Sequence, residues 1–441
     1  MNDEIPIEAT AGISGPPGSP GTPSVVSFPD DPDISLHLPA DDVEAPELSI
    51  VIPALNEEAV IADFMAWCHE GIAEAGVAAE ILILDSSDDR TPDIALAHGA
   101  RVLKLPRRGL GRAYLDAIPH IRGRFVLMGD ADCTYDFRRL KPFLEHFRAG
   151  ASFVMGSRFA GSIEAGAMPA LHRYFGTPLT TFILNFIYGS RFSDIHCGMR
   201  GITLDALKHM NLRSQSWEYA SEMVVKSVRL GLETVEVPVH FYKDQPGRVS
   251  HHLRIGWFSP WHAGWINLRA MLVHGADYFV MKPGLLLLAL GLLLTLPLAA
   301  GPLTVGGVTL SLNTMFLGAV LAVVGLQGLF LGCIAESLYD ASGEARRRWL
   351  GIFSYTRTTI VCMLLFALGL MLCLNFVRAF ADAGFTVVDG MTATNHLAVA
   401  GLFAIALAFT TFVSTLTLHA VATAADAAAT PATKRNGAGH G

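Results

Sequence analysis

Four long apolar runs in the C-terminal part of the chain limit its architecture more than any other feature. They cover roughly residues 284–300, 314–335, 358–377 and 397–420. Each is near the ~20 residues needed to cross a ~30 Å hydrocarbon core as a helix. Any one of them could be a buried helix of a soluble protein, but four in succession predict an all-α transmembrane region over 283–422. Charge orients the spans. Arg248, Arg254, Arg269 and Lys282 precede the first, and Arg346, Arg347, Arg348 and Arg357 lie between the second and third. Lys434 and Arg435 follow the fourth, whereas the 301–313 loop carries no charge and the 378–396 loop has Arg378 against Asp382 and Asp389. The positive-inside rule then places the N-terminal part, the middle loop and the C-terminus on the cytoplasmic side.

Composition is uneven along the remainder. Residues 1–47 contain ten Asp or Glu and no Lys or Arg, and are rich in Pro, Gly and Ser. Such a stretch buries too little apolar surface to offset its ordering entropy and reads as a disordered tail. A second short disordered tail is expected over 423–441. Without the first tail the chain is nearly neutral, and no basic patch with interleaved aromatics points to nucleic acid. The N-terminus has no charged start followed by an apolar core, so no secretory signal is expected. Six cysteines without a CxxC pair make a disulfide framework or a zinc site a poor fit.

Between the soluble part and the first span, residues 251–282 combine Trp257, Phe258, Trp261, Trp265, Tyr278 and Phe279 with scattered Arg and His. This pattern predicts helices lying in the membrane interface, a core helix of the soluble domain being the alternative.

Residues 48–250 read as alternating strands and helices: strands at Leu48–Ile52, Ile81–Leu84, Arg101–Leu105, Phe125–Met128 and Phe153–Met155, with helices at Glu57–Ala75, Thr91–His98 and Gly111–Ile121. Short connections between them predict an α/β domain with a largely parallel sheet. Ligands of such sheets bind beyond the carboxyl ends of the strands. Polar clusters follow three of those ends: Pro53-Ala54-Leu55-Asn56-Glu57-Glu58, then Asp85-Ser86-Ser87-Asp88-Asp89-Arg90-Thr91, then Gly129-Asp130-Ala131-Asp132. Asn56 or Asp89 alone would be an ordinary turn former. Asp130 and Asp132 differ, because two carboxylates one residue apart repel each other unless a cation lies between them. Mg²⁺ typically takes one or two carboxylates plus phosphate oxygens. His172, His196, His251 and His252 lack a ligand spacing, and Glu218 and Glu222 share a face of the helix expected at Trp217–Val228.

Seven short stretches in order, IPALNEE (52–58), LDSSDDRT (84–91), GLGRA (109–113), DAD (130–132), GSR (156–158), DIHCGMR (194–200) and VEVPVHF (235–241), make residues 48–250 resemble glycosyltransferase family 2. Within it they resemble the polyprenyl-phosphate sugar synthases typified by dolichol-phosphate mannosyltransferase. The resemblance implies a GT-A type, Rossmann-like nucleotide-sugar domain. It implies that Pro53, Asn56, Glu57 and Asp85 bind the nucleotide, with Asp85 on the base. Asp130 and Asp132 would hold Mg²⁺ or Mn²⁺ against the diphosphate. Gly109 and Gly111 would let the chain pass close to the donor, Arg158 and Asp194 would face the reacting sugar and acceptor, and Arg248 would reach phosphate. Where the family often has an Asp-Asp pair this chain has Leu84-Asp85, and a third metal ligand is open between Thr134 and Asp136.

The implied reaction is inverting transfer from a UDP- or GDP-sugar to undecaprenyl or dolichyl phosphate at a bilayer, in bacteria by the Ala-, Gly- and Leu-rich spans. Self-association through the spans would be compatible with it. Two rivals remain at this level. A processive polysaccharide synthase would carry Gln-x-x-Arg-Trp, but Arg348-Trp349 has Ala345 at the Gln position. A non-catalytic flippase or scaffold would not need the Asp130/Asp132 pair.

Overall fold

The computed structural model describes residues 23–29, 31–245, 269, 275, 277–339, 343–385 and 392–429. Arg248 and most of the expected interfacial stretch 251–282, its tryptophans included, lie outside them. The chain divides into two compact units, Met1–Met271 and Leu272–Gly441.

The first unit is built on a nine-stranded sheet. Its strands are β1 (Ser24–Ser27), β2 (Ser35–Leu38), β3 (Leu48–Ala54), β4 (Ala79–Asp85), β5 (Arg101–Lys104), β6 (Phe125–Met128), β7 (Phe153–Ile163), β8 (Arg200–Thr203) and β9 (Thr234–Phe241). In space they follow the order β1-β2-β5-β4-β3-β6-β8-β7-β9. Helices α1 (Ile61–Ala75), α2 (Thr91–Ala97), α3 (Leu110–Ala117), α4 (Lys141–Arg148), α5 (Thr177–Tyr188), α6 (Leu204–Met210) and α7 (Tyr219–Arg229) join them. The central strands β5, β4, β3 and β6 are parallel, as the alternation predicts. Every residue of β4 and β6 is buried, the mark of strands covered on both faces. Helix α1 packs on α2 and α4, while α7 gathers α3, α5 and α6.

Helix α1 starts at Ile61 and not at Glu57. The amides of Asn56, Glu57 and Glu58 are taken by the side chains of Ser87, Thr91 and Asp89, so the chain stays in a loop until those bonds are made. At its other end Gly76 adopts the left-handed conformation that ends a helix without a Cβ penalty.

The acidic N-terminal stretch departs from expectation. Ser24–Ser27 and Ser35–Leu38 pair with each other, and β2 adds antiparallel to β5. Ile34 and Leu36 enter the core, and the acidic residues meet arginines of the domain: Asp31 and Asp33 meet Arg108, and Asp42 meets Arg122. Composition counts the charges but not their partners, which lie some seventy residues or more away in sequence. Beneath the sheet, buried Glu80 accepts from Ser49 Oγ, from Arg101 at 2.6 Å and from Arg122 Nε at 2.8 Å.

In the second unit the four candidate spans are Tyr278–Ala300, Leu312–Leu338, Glu344–Asp382 and Ala393–Ala425. The fourth belongs to a helix that runs on to Ala429, into the expected tail. Apolar side chains such as Val361, Met363 and Leu364 stay exposed, which only a lipid environment tolerates over this length. The first two spans meet backbone to backbone. A Cβ at Gly291 would collide with the Gly318 carbonyl oxygen, and one at Gly325 would lie 2.5 Å from that of Gly284. Gly369 and Gly401 do the same for the last two, at 2.7 Å. Small residues let membrane helices approach this closely.

Burial alone would raise the Glu80 pKa, yet its bonds to Ser49 and the two arginines hold it below the ordinary range. Its contribution is therefore present above about pH 4.3 and lost as pH falls through the lowered value. Glu80→Gln leaves the Arg101 and Arg122 guanidinium groups with Asp42 as their one carboxylate among the described residues and should cost about 3 kcal/mol. Thermal melts in detergent should show a lower transition and a weaker loss of stability on acidification than the wild type.

Candidate active site

The parallel strands end along one edge of the sheet, and the loops that leave it carry the polar clusters. Two loops are laced together. Ser86 N donates to Ala54 O, Asp88 N donates to Asn56 Oδ1, and Arg90 N donates to Glu58 Oε2. Asn56 takes a positive φ of 58°, which its short polar side chain tolerates. The turn Pro53–Glu57 thus shapes the loop after β4, and Asn56 and Asp89 act as turn formers.

Asp85 closes β4 with 0% exposure. Its Oδ1 accepts from Ser87 N at 3.3 Å, and Lys104 Nζ stands 3.8 Å from Oδ2. Oδ2 itself has no hydrogen-bond partner among the described residues. Burial pushes this carboxyl up despite the bonds from Ser87. An unbonded buried carboxylate oxygen is costly, and a site that leaves one expects a donor from outside. A cavity of 320 Å³ lies there, walled by residues 85–88 and 104–107. Lys104 and Arg107, from the end of the third parallel strand, were missed as site residues; their place at the carboxyl edge was the available signal.

Asp130 and Asp132 leave β6. Tyr114 OH donates to Gly129 O at 3.3 Å and steadies the start of the turn, and Cys133 takes a positive φ of 58°. Asp132 Oδ1 accepts from Thr134 N at 3.0 Å and from Thr134 Oγ1 at 2.6 Å. Register brings in the next motif, because Met128 of β6 and Met155 of β7 both pair with Arg200 of β8. The DIHCGMR stretch therefore arrives beside the aspartates. Gly198 permits the approach, since a Cβ there would lie 2.5 Å from Asp130 Oδ2. Asp136, one candidate for a third metal ligand, is instead held by Arg138 and by Tyr242 OH.

Arg158 and Asp194 are brought together, but onto each other. Arg158 Nε donates to Asp194 Oδ2 at 2.6 Å and Nη2 to Oδ1 at 2.9 Å, both groups being buried. Burial would raise the Asp194 pKa, but the guanidinium wins and holds it low. The two residues expected to face sugar and acceptor form here a closed, buried pair that joins β7 to the DIHCGMR loop. His196 beside it is bonded to Thr180 Oγ1. Burial and the nearby arginine pull it down to about 4, so it stays neutral.

Gly109 and Gly111 also serve a neighbour. A Cβ at Gly109 would run into Gln215 O, and one at Gly111 into Ser214 O. The glycines admit the 214–216 backbone, where the expectation had them admit the donor. Buried Glu222 holds that segment by accepting from Arg213 N and Ser214 N and by pairing with Lys226.

A further surface was not anticipated. Leu171, Tyr174, Phe175, Leu179, Phe182 and Phe186 follow helical spacing along the π-helical turn at His172–Gly176 and α5. All six are exposed, Tyr174 at 74% and Phe182 and Phe186 at 65% each. The other face buries Thr177, Thr181 and Leu184. The spacing was readable; that the apolar stripe faces outward was not.

Asp194→Asn removes the charge that neutralises buried Arg158. It should cost about 3–5 kcal/mol, seen as a lowered thermal transition of the purified protein.

Comparison with known proteins gives the family. Residues 49–210 match the model for glycosyl transferase family 2, and residues 332–422 match that for the glycosyltransferase family 2 C-terminal transmembrane region. The chain is 39% identical over 306 residues to the low-salt glycan biosynthesis hexosyltransferase Agl6 of Haloferax volcanii, covering 69% of this chain and 72% of that protein. It is 29% identical over 201 residues to a dolichyl-phosphate hexose transferase of the same archaeon, covering 46% and 85% of the two chains. Among solved structures, glucosyl-3-phosphoglycerate synthase of Mycobacterium tuberculosis aligns with a TM-score of 0.40 at 20% identity, over 52% of this chain and 80% of that one. The chain is thus a membrane protein of glycosyltransferase family 2, bearing that family's C-terminal transmembrane region.

Proposed function

We propose that this chain transfers a hexose, with inversion, from a UDP- or GDP-sugar to a polyprenyl phosphate, undecaprenyl or dolichyl, at the cytoplasmic face of a membrane. The observation that carries the reading is the unbonded buried Oδ2 of Asp85 beside the cavity after β4. The imide N–H of uracil or the ring N–H of guanine would supply its missing donor, with Lys104 and Arg107 on the opposite wall.

Asp130 and Asp132 suit a divalent cation. They offer hard oxygen donors at the end of a parallel strand, and Mg²⁺ or Mn²⁺ completes such a set with phosphate oxygens and water. When bound, the ion would offset charge developing on the departing nucleoside diphosphate. Asp132 is oriented for this by Thr134. Arg158 and Asp194 keep the floor of the site rigid and neutral, and as a closed pair they offer no proton acceptor. A phosphate monoester acceptor needs none, because its second pKa is about 6 and it is largely dianionic near neutrality. Direct displacement by that oxygen inverts the anomeric carbon, and the work left to the protein is alignment. Arg248, outside the described residues, lies six positions after Tyr242, whose amide donates to Thr134 O; it remains our candidate for a phosphate contact.

A lipid acceptor requires the site to work at a bilayer. The outward stripe of α5, with Arg173 at its start, has the character of a helix lying in the interface. The charge pattern of the loops favours the cytoplasmic side. The relatives named above are archaeal, so the expectation of a bacterial membrane is not carried forward. Self-association is not carried forward: the glycines at 284, 291, 318, 325, 369 and 401 meet other helices of the same chain. The processive rival loses its remaining support as well: Arg348 and Trp349 both bind Glu336 of the second span, at 2.7 Å each.

Purified protein offered labelled UDP- and GDP-sugars with polyprenyl phosphate should move label into the organic phase with one donor, and EDTA should abolish it. Asp132→Ala should lower kcat by at least about 100-fold, as expected when charge stabilisation of the leaving group is removed. Lipid-linked sugar forming at the wild-type rate in that variant would refute the metal site. Phe182→Ser with Phe186→Ser should raise the KM for lipid acceptor on the order of 100-fold, at on the order of 1.5 kcal/mol per ring. The KM for donor should stay unchanged.

A further inference from the structure

We infer that the N-terminal hairpin is part of the donor site, with Asp31 and Asp33 acting as positioning residues that set the width of the nucleotide cavity through Arg108. The inference rests on the donor reading above and assigns a role to residues that precede the matched segment 49–210.

The cavity has two walls, residues 85–88 and residues 104–107. Arg107 ties the second wall to the first: its Nε donates to Ser86 O at 2.9 Å and its Nη2 bonds Asp88. That tie sets the closest approach of the two walls on the Arg107 side. Arg108 is fastened the other way. Its Nη1 donates to Asp31 Oδ2 at 2.7 Å, and its Nη2 reaches Asp31 Oδ1 at 3.4 Å and Asp33 Oδ2 at 3.2 Å. The two carboxylates are not a loose tail. Ile34 and Leu36 are buried directly after them, and Ser35 pairs with Lys104, the first residue of the same wall. Successive arginines therefore fasten the second wall twice, Arg107 to the first wall and Arg108 to the hairpin.

An exposed ion pair contributes little to global stability. Its effect here is local, in holding a short loop in the conformation the ligand needs, and such ordering appears in ligand affinity.

The test is calorimetric titration of Mn²⁺-UDP and Mn²⁺-GDP into the full-length protein in detergent, with thermal melts alongside. Asp31→Asn with Asp33→Asn should weaken binding of the preferred nucleotide about fivefold, the scale of ordering a loop side chain or two, without moving the melting transition. Arg108→Gln should do the same, and the triple variant should be no weaker than either, because the three residues form one device. Unchanged affinity in the Asn pair overturns the inference, and so does full additivity in the triple variant. Tighter binding in the Asn pair also overturns it, since Arg108 would then be a phosphate ligand that the hairpin restrains. A wild-type protein that binds neither nucleotide overturns the donor reading itself, and is told apart from the other outcomes by that first titration.

Discussion

Burial of the central strands on both faces constrains everything else in the soluble unit. A strand covered by helices above and below can carry a charge only where a partner neutralises it, as the arginines do for Glu80 of β4, so open polar chemistry is confined to the points where the chain leaves the sheet. Parallel strands bring those exits to one edge. Asp85, Lys104 and Asp130 stand at the ends of three strands in that parallel block. The antiparallel register of β8 between β6 and β7 delivers the DIHCGMR loop to the same edge from the opposite direction.

Among the described residues the buried carboxylates of this unit are otherwise paired. Glu80 meets Arg101 and Arg122, Glu222 meets Lys226 and two backbone amides, and Asp194 meets Arg158 through two hydrogen bonds. Each of these groups is expensive to bury and each is compensated. Against that background Asp85 stands out because one of its oxygens is left unbonded within the described residues. The contrast is what the proposed donor contact at Asp85 rests on. Other motif residues meet partners within the chain: Arg158 closes on Asp194, and Gly109 and Gly111 pack against the 214–216 backbone.

The membrane unit follows a different rule, because lipid supplies no hydrophobic drive between helices. Contact there depends on how closely backbones can approach, and glycines at 284, 291, 318 and 325 allow the first two spans to touch. Polar groups in the spans are used for the same purpose. His396 Nδ1 contacts Leu298 O at 2.6 Å, where the first span tightens into a 3₁₀ turn after Pro297 and frees a carbonyl.

Apolar run length and strand–helix alternation were enough to read four spans, a parallel α/β domain and the polar clusters at strand ends, because those signals are local: a span needs only length, and a strand end only a change from apolar to turn residues. Order of motifs was enough to read the family. The sequence could not show partners. That Arg158 would close on Asp194, that Asp136 would be taken by Arg138, or that Gly111 would admit Ser214 depends on how the folded backbone aims each side chain, and for two of the three on segments far apart in the chain. The acidic N-terminal stretch is the clearest case. Its composition argues for disorder when counted alone, and only the folded sheet, with a free edge at β5 and arginines at 101, 108 and 122, gives those carboxylates a place to bind. Pattern along one dimension decided which elements form, and pairing across three decided what each charge is for.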